Sequence, residues 1–267
     1  MIAGGRPNLI GISGKMGSGK DTLWIVMNYI ADDNAPDSIG RWKQPVDEFV
    51  YENKKYSEKL KYMVCFLIGC NRSDLEDREF KEKELGEEWT KNIFDGLSII
   101  EEIDEETGEY VYSDQRGKEL GNVVRGGKDS YKDSNITLTP RKLLQILGTE
   151  CGRQIIHPNI WVNALFADYV QVADLQLKGR KGNLMHNKNQ SNWIITDVRF
   201  PNEAQAIKDR GGILIRINRD NGTRAIDVNA HLSETALDDY DGFDYVIDND
   251  SDSVRDLIDK VKQLKIV

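Results

Sequence analysis

The sequence predicts a three-layer α/β fold, a central parallel sheet of about five strands with helices on both faces, and two observations carry the prediction. Short apolar runs alternate along the chain with segments of helical periodicity, the order in which crossover helices link parallel strands. The clearest of these runs are continuously apolar, as strands buried on both faces must be. Residues 8–13 (Asn-Leu-Ile-Gly-Ile-Ser) form the first and end in a glycine-rich loop; Leu23, Val26, Met27 and Ile30 then follow at helical spacing over 20–31. A second helix is predicted over 57–69, with Ser57 as N-cap and Leu60, Val64, Leu67 and Ile68 on one face, and a short helix near 74–86. Thr139-Pro140 opens another, because threonine caps and proline is tolerated at the first helical position; Leu143, Leu144, Leu147 and Cys151 continue it. His157-Pro158 breaks that helix, and Trp161, Leu165, Tyr169 and Val172 mark the next. Trp193-Ile194-Ile195-Thr196 is a compact apolar run stopping at Asp197, followed by a helix over 201–210 between Pro201 and Gly211. Strands at 213–217 and 243–247 and a helix at 252–264 complete the reading.

Two stretches depart from this alternation. Seven carboxylates fall between Glu101 and Asp114, so 101–137 reads either as a surface hairpin through Tyr110-Val111-Tyr112 or as a solvated loop. The segment 178–192 opens with Lys178-Gly179-Arg180-Lys181-Gly182 and reads as a basic loop. We expect one domain over 1–267 carrying these two insertions, a length that buries a sizeable core. Apolar residues at 39% and charged residues at 30% exclude a disordered chain. No apolar run approaches the ~20 residues that span a bilayer, and the Met1–Arg6 start has no apolar signal stretch, so a cytoplasmic protein is expected. A formal charge of −9 argues against a nucleic-acid polymer as partner and leaves a small anion such as a nucleotide. Cysteines at 65, 70 and 151 have no metal-ligand spacing and read as reduced, mostly core thiols.

The loop Gly14-Lys15-Met16-Gly17-Ser18-Gly19-Lys20 fits the pattern G-x-x-x-x-G-K between an apolar strand and a helix, the context in which that pattern binds phosphate. Glycines let the backbone wrap phosphate oxygens, the helix start adds partial positive charge, and Lys20 can reach the β- and γ-phosphates. The fold class sharpens to a P-loop NTPase fold. Asp21 stands where the pattern has Ser or Thr, with Thr22 one step later, so either Asp21 holds a magnesium ion through water or Thr22 approaches a phosphate. Asp197, at the end of an apolar strand, is placed to orient the metal or its waters, or simply to cap a helix. Arg199 can neutralise charge on a transferred phosphoryl group or pair with Glu203. Arg141 and Arg153 flank the Leu-rich helix as candidates for an acceptor phosphate. Lys15, Lys55, Lys59 and Lys61 are weaker cation candidates, and His231, in His-Leu-Ser-Glu, resembles a capped helix start as much as a site.

The loop Ser13–Thr22, the stretch Thr139-Pro140-Arg141-Lys142-Leu143-Leu144-Gln145-Ile146-Leu147-Gly148-Thr149-Glu150 with Trp161-Val162 after it, Thr196-Asp197-Val198-Arg199-Phe200-Pro201-Asn202-Glu203, and Val246-Ile247-Asp248-Asn249-Asp250 together resemble phage deoxynucleoside monophosphate kinases of the adenylate-kinase-like P-loop group. The resemblance spans nearly the whole chain. It implies transfer of the γ-phosphoryl of ATP to a deoxynucleoside monophosphate with magnesium required, in the host cytoplasm if the chain is phage-encoded. By the same likeness Arg141 would lie in the acceptor pocket, Asp197 and Arg199 near the reacting phosphates, and Asn249 and Asp250 beside the ATP adenine; Arg153 and Trp161 are further candidates for the acceptor. Assembly as a homodimer is left open. Two alternatives stay beside this expectation: a P-loop kinase of another phosphorylated acceptor, of the dephospho-coenzyme A or phosphomevalonate type, and a non-catalytic nucleotide-binding regulatory protein.

Overall fold

The computed structural model describes residues 6–32, 50–115, 117, 123–169, 191–219, 235–251 and 253–267. Two compact units divide the chain: residues 1–60 with 152–267, and residues 61–151.

The first unit is built on five strands: β1 (Leu9–Ser13), β2 (Glu52–Lys54), β8 (Trp193–Ile195), β9 (Ile213–Asn218) and β10 (Tyr245–Asp248). They lie in the order β10-β9-β1-β8-β2, and every neighbouring pair is parallel. The central parallel sheet of about five strands is therefore present. Sequence reasoning missed β2: its Glu-Asn-Lys is polar because it forms an outer strand of the sheet, beside β8 alone. Helices α1 (Lys20–Ala31) and α7 (Val254–Leu264) cover one face. Leu23, Val26 and Met27 from α1 and Leu257, Ile258 and Val261 from α7 close over Ile10, Ile12, Ile194, Ile215, Ile217 and Ile247. Helix α6 (Pro201–Lys208) covers the other face, where a Cβ at Gly11 of β1 would come within 2.5 Å of Ile207 Cδ1. Three layers result, with the loop after β1 at the carboxyl ends of the strands.

The remaining helices are α2 (Glu58–Ile68), α3 (Arg78–Glu82), α4 (Pro140–Gln145) and α5 (Ile160–Phe166). Thr139 caps α4 as the sequence predicts, its hydroxyl accepting the Lys142 N–H at 3.2 Å. The α-helical spacing expected through Cys151 is not kept: residues 146–156 wind with a wider π pitch, and the His157 N–H reaches back five residues to the Gly152 carbonyl (2.9 Å). Gly148 and Gly152 fall inside this stretch and weaken the α ladder by about 1 kcal/mol each. On α2, Leu60 and Val64 are buried, whereas Leu67, expected on the same face, is half exposed.

In the second unit, β4 (Ile99–Ile103), β5 (Tyr110–Asp114) and β6 (Val123–Gly126) form an antiparallel sheet in sequence order, and β3 (Thr90–Asn92) pairs with β7 (Asn135–Thr137). The buried Tyr112 is its aromatic centre, with ring centroids of Tyr131 at 4.9 Å and Tyr110 at 6.1 Å. The three cysteines are free and partly exposed, not core thiols; Cys65 in α2 and Cys70 just past its end bring their sulfurs to 3.6 Å. His231 and residues 178–190 lie outside the described residues, as does Val172.

Candidate active site

The loop after β1 is shaped by its glycines. Gly17 and Gly19 take positive φ values of 78° and 98°, which residues with a Cβ adopt only under strain. A Cβ on Gly14 would lie 2.4 Å from the Ile217 carbonyl oxygen and 2.6 Å from Ser18 Oγ, so the backbone there can approach β9 only as glycine. The Ser18 N–H closes a turn onto the Lys15 carbonyl (3.2 Å), and Gly19 leads into α1. The first N–H groups of α1 have no intrahelical partner by construction, so the loop presents amides and the positive end of a helix together.

Lys20 folds back over this loop, its ammonium donating to the carbonyls of Gly14 and Lys15 at 2.7 Å each. Its charge is thus held against the loop. Asp21, exposed on the first turn of α1, accepts from the Thr196 hydroxyl at the end of β8 (3.2 Å) and pairs with the Lys55 ammonium (3.0 Å). The same hydroxyl lies 3.0 Å from Asn53 Oδ1 of β2, its single proton serving one acceptor at a time, so the ends of β8 and β2 and the start of α1 converge here. Lys55, a weak candidate in the sequence, gains a place here.

Asp197 does something different. Its Oδ1 accepts the Tyr56 N–H (2.7 Å) and its Oδ2 accepts the N–H and hydroxyl of Ser57 (3.0 and 2.8 Å), at the entry to α2. A carboxylate has about four acceptor positions, and three are filled. The capping alternative describes this geometry, and Asp197 fixes the Lys55-Tyr56-Ser57 turn that carries Lys55 to Asp21.

Arg199 is exposed, and its backbone N–H, with that of Phe200, donates to Glu203 Oε2 at 2.7 and 3.1 Å, opening α6. The partner of Glu203 Oε1 is the guanidinium of Arg153, which also lies 4.1 Å from the Phe200 ring centre. Arg153, expected at the acceptor, is a mostly buried strut of α6. Burial pushes the Glu203 carboxyl up to about 7, aided by the charge of Asp197 and opposed by Arg153 and the two N–H donors. Trp161 is buried on α5. In the second unit Arg141 pairs with Glu82, and Lys61 pairs with Glu76 at 2.9 Å; Lys59, in the first unit, pairs with Asp168 at 3.3 Å.

Asn249, at the end of β10, is buried and donates to the Ser18 carbonyl (2.9 Å), tying the last strand to the loop. Asp250 beside it is exposed. Two residues the sequence reading passed over also meet the loop: Arg216 of β9 and Asp238, which together contact Ser13 and Lys15. An arginine inside the run Ile-Leu-Ile-Arg-Ile was the available signal, since an apolar strand tolerates a charge only with a partner.

The residues fit a nucleoside triphosphate and its magnesium. The loop leaves no room for a Cβ at Gly14, and the Ser18 hydroxyl is buried with no hydrogen-bond partner among the described residues. Among the described residues no group of three His, Cys, Asp or Glu side chains is placed to hold a metal. Magnesium bound with a nucleotide keeps several waters and takes one or two carboxylates plus substrate phosphates, and Asp21 on the first turn of α1 is a carboxylate that would suit it.

Comparison with known proteins decides the family. The profile of the deoxynucleotide monophosphate kinase family matches residues 8–261. The chain belongs to that family. The deoxynucleoside-5'-monophosphate kinase of Escherichia phage T5 is 26% identical over 220 residues, 75% of this chain and 72% of that one. A protein of Acanthamoeba polyphaga mimivirus, provisionally named a deoxynucleotide monophosphate kinase, is 33% identical over 129 residues, covering 46% of this chain and 59% of its own. As a member of this family the chain is a kinase, a phosphotransferase, with relatives in phage and giant virus. Among the described residues no helix is long and apolar enough to cross a membrane.

Proposed function

We propose that this kinase transfers the γ-phosphoryl of ATP to a deoxynucleoside monophosphate, giving the deoxynucleoside diphosphate and ADP, for deoxynucleotide supply in the cytoplasm. The observation that carries the reading is the loop itself: positive-φ glycines, a helix start and a folded-back Lys20 at the strand ends of a chain matched by the family across residues 8–261. The loop amides would bind the β- and γ-phosphates, and Lys20 would exchange its two carbonyl partners for phosphate oxygens. Asp21 would hold magnesium through the ion's waters, supplying neutralisation of the phosphate charge; Asp197 contributes by fixing Lys55 beside Asp21. Arg141 would release Glu82 to clamp the acceptor phosphate, and Arg199 would screen charge on the transferred group. The acceptor phosphate oxygen attacks the γ-phosphorus as its bond to the β,γ-bridging oxygen breaks and that oxygen leaves with ADP, so positioning and electrostatics suffice.

Steady-state ADP release measured with dAMP, dCMP, dGMP, dTMP and their ribose counterparts tests the proposal. We expect release to depend on an acceptor and to favour at least one deoxynucleotide over the ribose forms. Equal rates across all acceptors, or release that ignores them, would sink the assignment.

A further inference from the structure

Arg216 sits on β9 directly opposite Ser13 of β1, the residue that precedes the phosphate loop. Its side chain is only 14% exposed, so its charge requires partners. One guanidinium nitrogen, Nη1, donates to Ser13 Oγ (3.1 Å), Nη2 to Asp238 Oδ1 (3.1 Å), and Nε reaches Asn218 Oδ1 (3.4 Å). The other oxygen of Asp238 takes the ammonium of Lys15, inside the loop. Two cations, one rooted in the sheet and one in the loop, therefore share a carboxylate delivered by the connection between β9 and β10.

We propose that Arg216 and Asp238 are positioning residues for the phosphate loop: the sheet holds Arg216, Arg216 holds Asp238 and Ser13, and Asp238 holds Lys15 in the place from which it meets a nucleotide phosphate. The inference rests on the kinase reading above. Its logic is one of sign. If Asp238 acted only through its charge, a carboxylate beside a triphosphate site would repel ATP, and neutralising it would tighten binding. If it orders Lys15, removing it frees a flexible side chain, and ATP binds more weakly because that ordering must then be met on binding.

The test is ATP affinity by calorimetry together with KM and kcat on the full chain, for wild type, Asp238→Asn, Lys15→Met, their double variant and Arg216→Lys. Asp238→Asn is expected to raise the ATP Kd and KM about three- to tenfold, the range of one ordinary hydrogen bond, as suits a pair that is half exposed, with acceptor KM and melting temperature unchanged. Lys15→Met should do the same, and the double variant should be no worse than Lys15→Met alone. Arg216→Lys keeps the charge without the fork and should weaken ATP binding by less. Unchanged or tighter ATP binding in Asp238→Asn, additive losses in the double variant, or a loss explained by a lowered melting temperature overturns the relay while leaving the kinase reading intact. A wild-type chain that binds no ATP overturns both.

Discussion

The parallel sheet and the antiparallel sheet of β4, β5 and β6 solve burial in opposite ways. Every residue of β1 is buried, and the inner strands β1 and β8 and the outer strand β10 end in polar groups, where Ser13, Thr196, Asp197 and Asn249 are all engaged. In β4 the pattern reverses: Ile100 and Ile103 are 41% and 60% exposed, and the sheet is centred on Tyr112, whose hydroxyl accepts the Asp129 N–H at 2.5 Å. The first sheet spends its burial on holding a loop in one shape; the second is held by an aromatic knot and a rim of exposed charge, with Arg125 paired to Asp104. Preorganised chemistry belongs to the sheet with strands covered on both faces.

The largest effect that would test this contrast is at Lys20. Lys20→Ala should lower kcat by about a hundredfold or more, with an unchanged circular-dichroism melt, since the bonds from its ammonium to the Gly14 and Lys15 carbonyls lie within the loop. An equal loss of fold and turnover would show that the loop is part of the core. Next, Ile194→Ala, at a fully buried position, should cost about 2–5 kcal/mol in denaturant unfolding. Asp197→Ala removes three hydrogen bonds at the start of α2 and should cost about 1–3 kcal/mol. If it abolished turnover with no loss of stability, Asp197 would belong to the reaction and not to the scaffold.

Glu203 gives a pH-dependent effect. The unfolded chain ionises this carboxyl near 4.5, and burial delays it to about 7 in the fold, so between those values the folded state holds the extra proton. Its contribution to stability falls as pH rises through that window, by at most about 1.4 kcal/mol per pH unit. Melting curves of wild type and Glu203→Gln from pH 4 to 8 should diverge there, the variant lacking the slope. Smallest of all, Ile103→Thr on the exposed sheet should change stability by no more than about 0.5 kcal/mol, and a larger loss would mean that this face is covered.

Much of this was legible in the sequence, for a physical reason. Strands β1, β8 and β9 are buried on both faces and announce themselves as apolar runs, whereas β2, an outer strand of three polar residues, gives no such signal. The phosphate loop is a local motif, and its conformation follows from residues within a few positions of each other. The pairings around it do not: Lys15 with Asp238, Arg216 with Ser13 and Lys55 with Asp21 join residues far apart in the chain, and charges suited to such pairs look like ordinary surface charge until the fold brings them together. The same distance hid the work of Arg153, which reads as an anion clamp in the sequence and braces Glu203 in the fold.

The contact between Gly19 and Asn249 constrains the two positions unequally. A Cβ at residue 19 would meet the Asn249 amide nitrogen at 2.7 Å, and trimming residue 249 would remove that obstacle. The φ of 98° would remain, however, so position 19 stays closed to side chains whatever stands opposite. Residue 249 can drift with any side chain that spares the space over the loop, at the cost of the bond to Ser18. Sequence variation among relatives should therefore be one-sided at this contact, frozen on the loop and permissive on the strand.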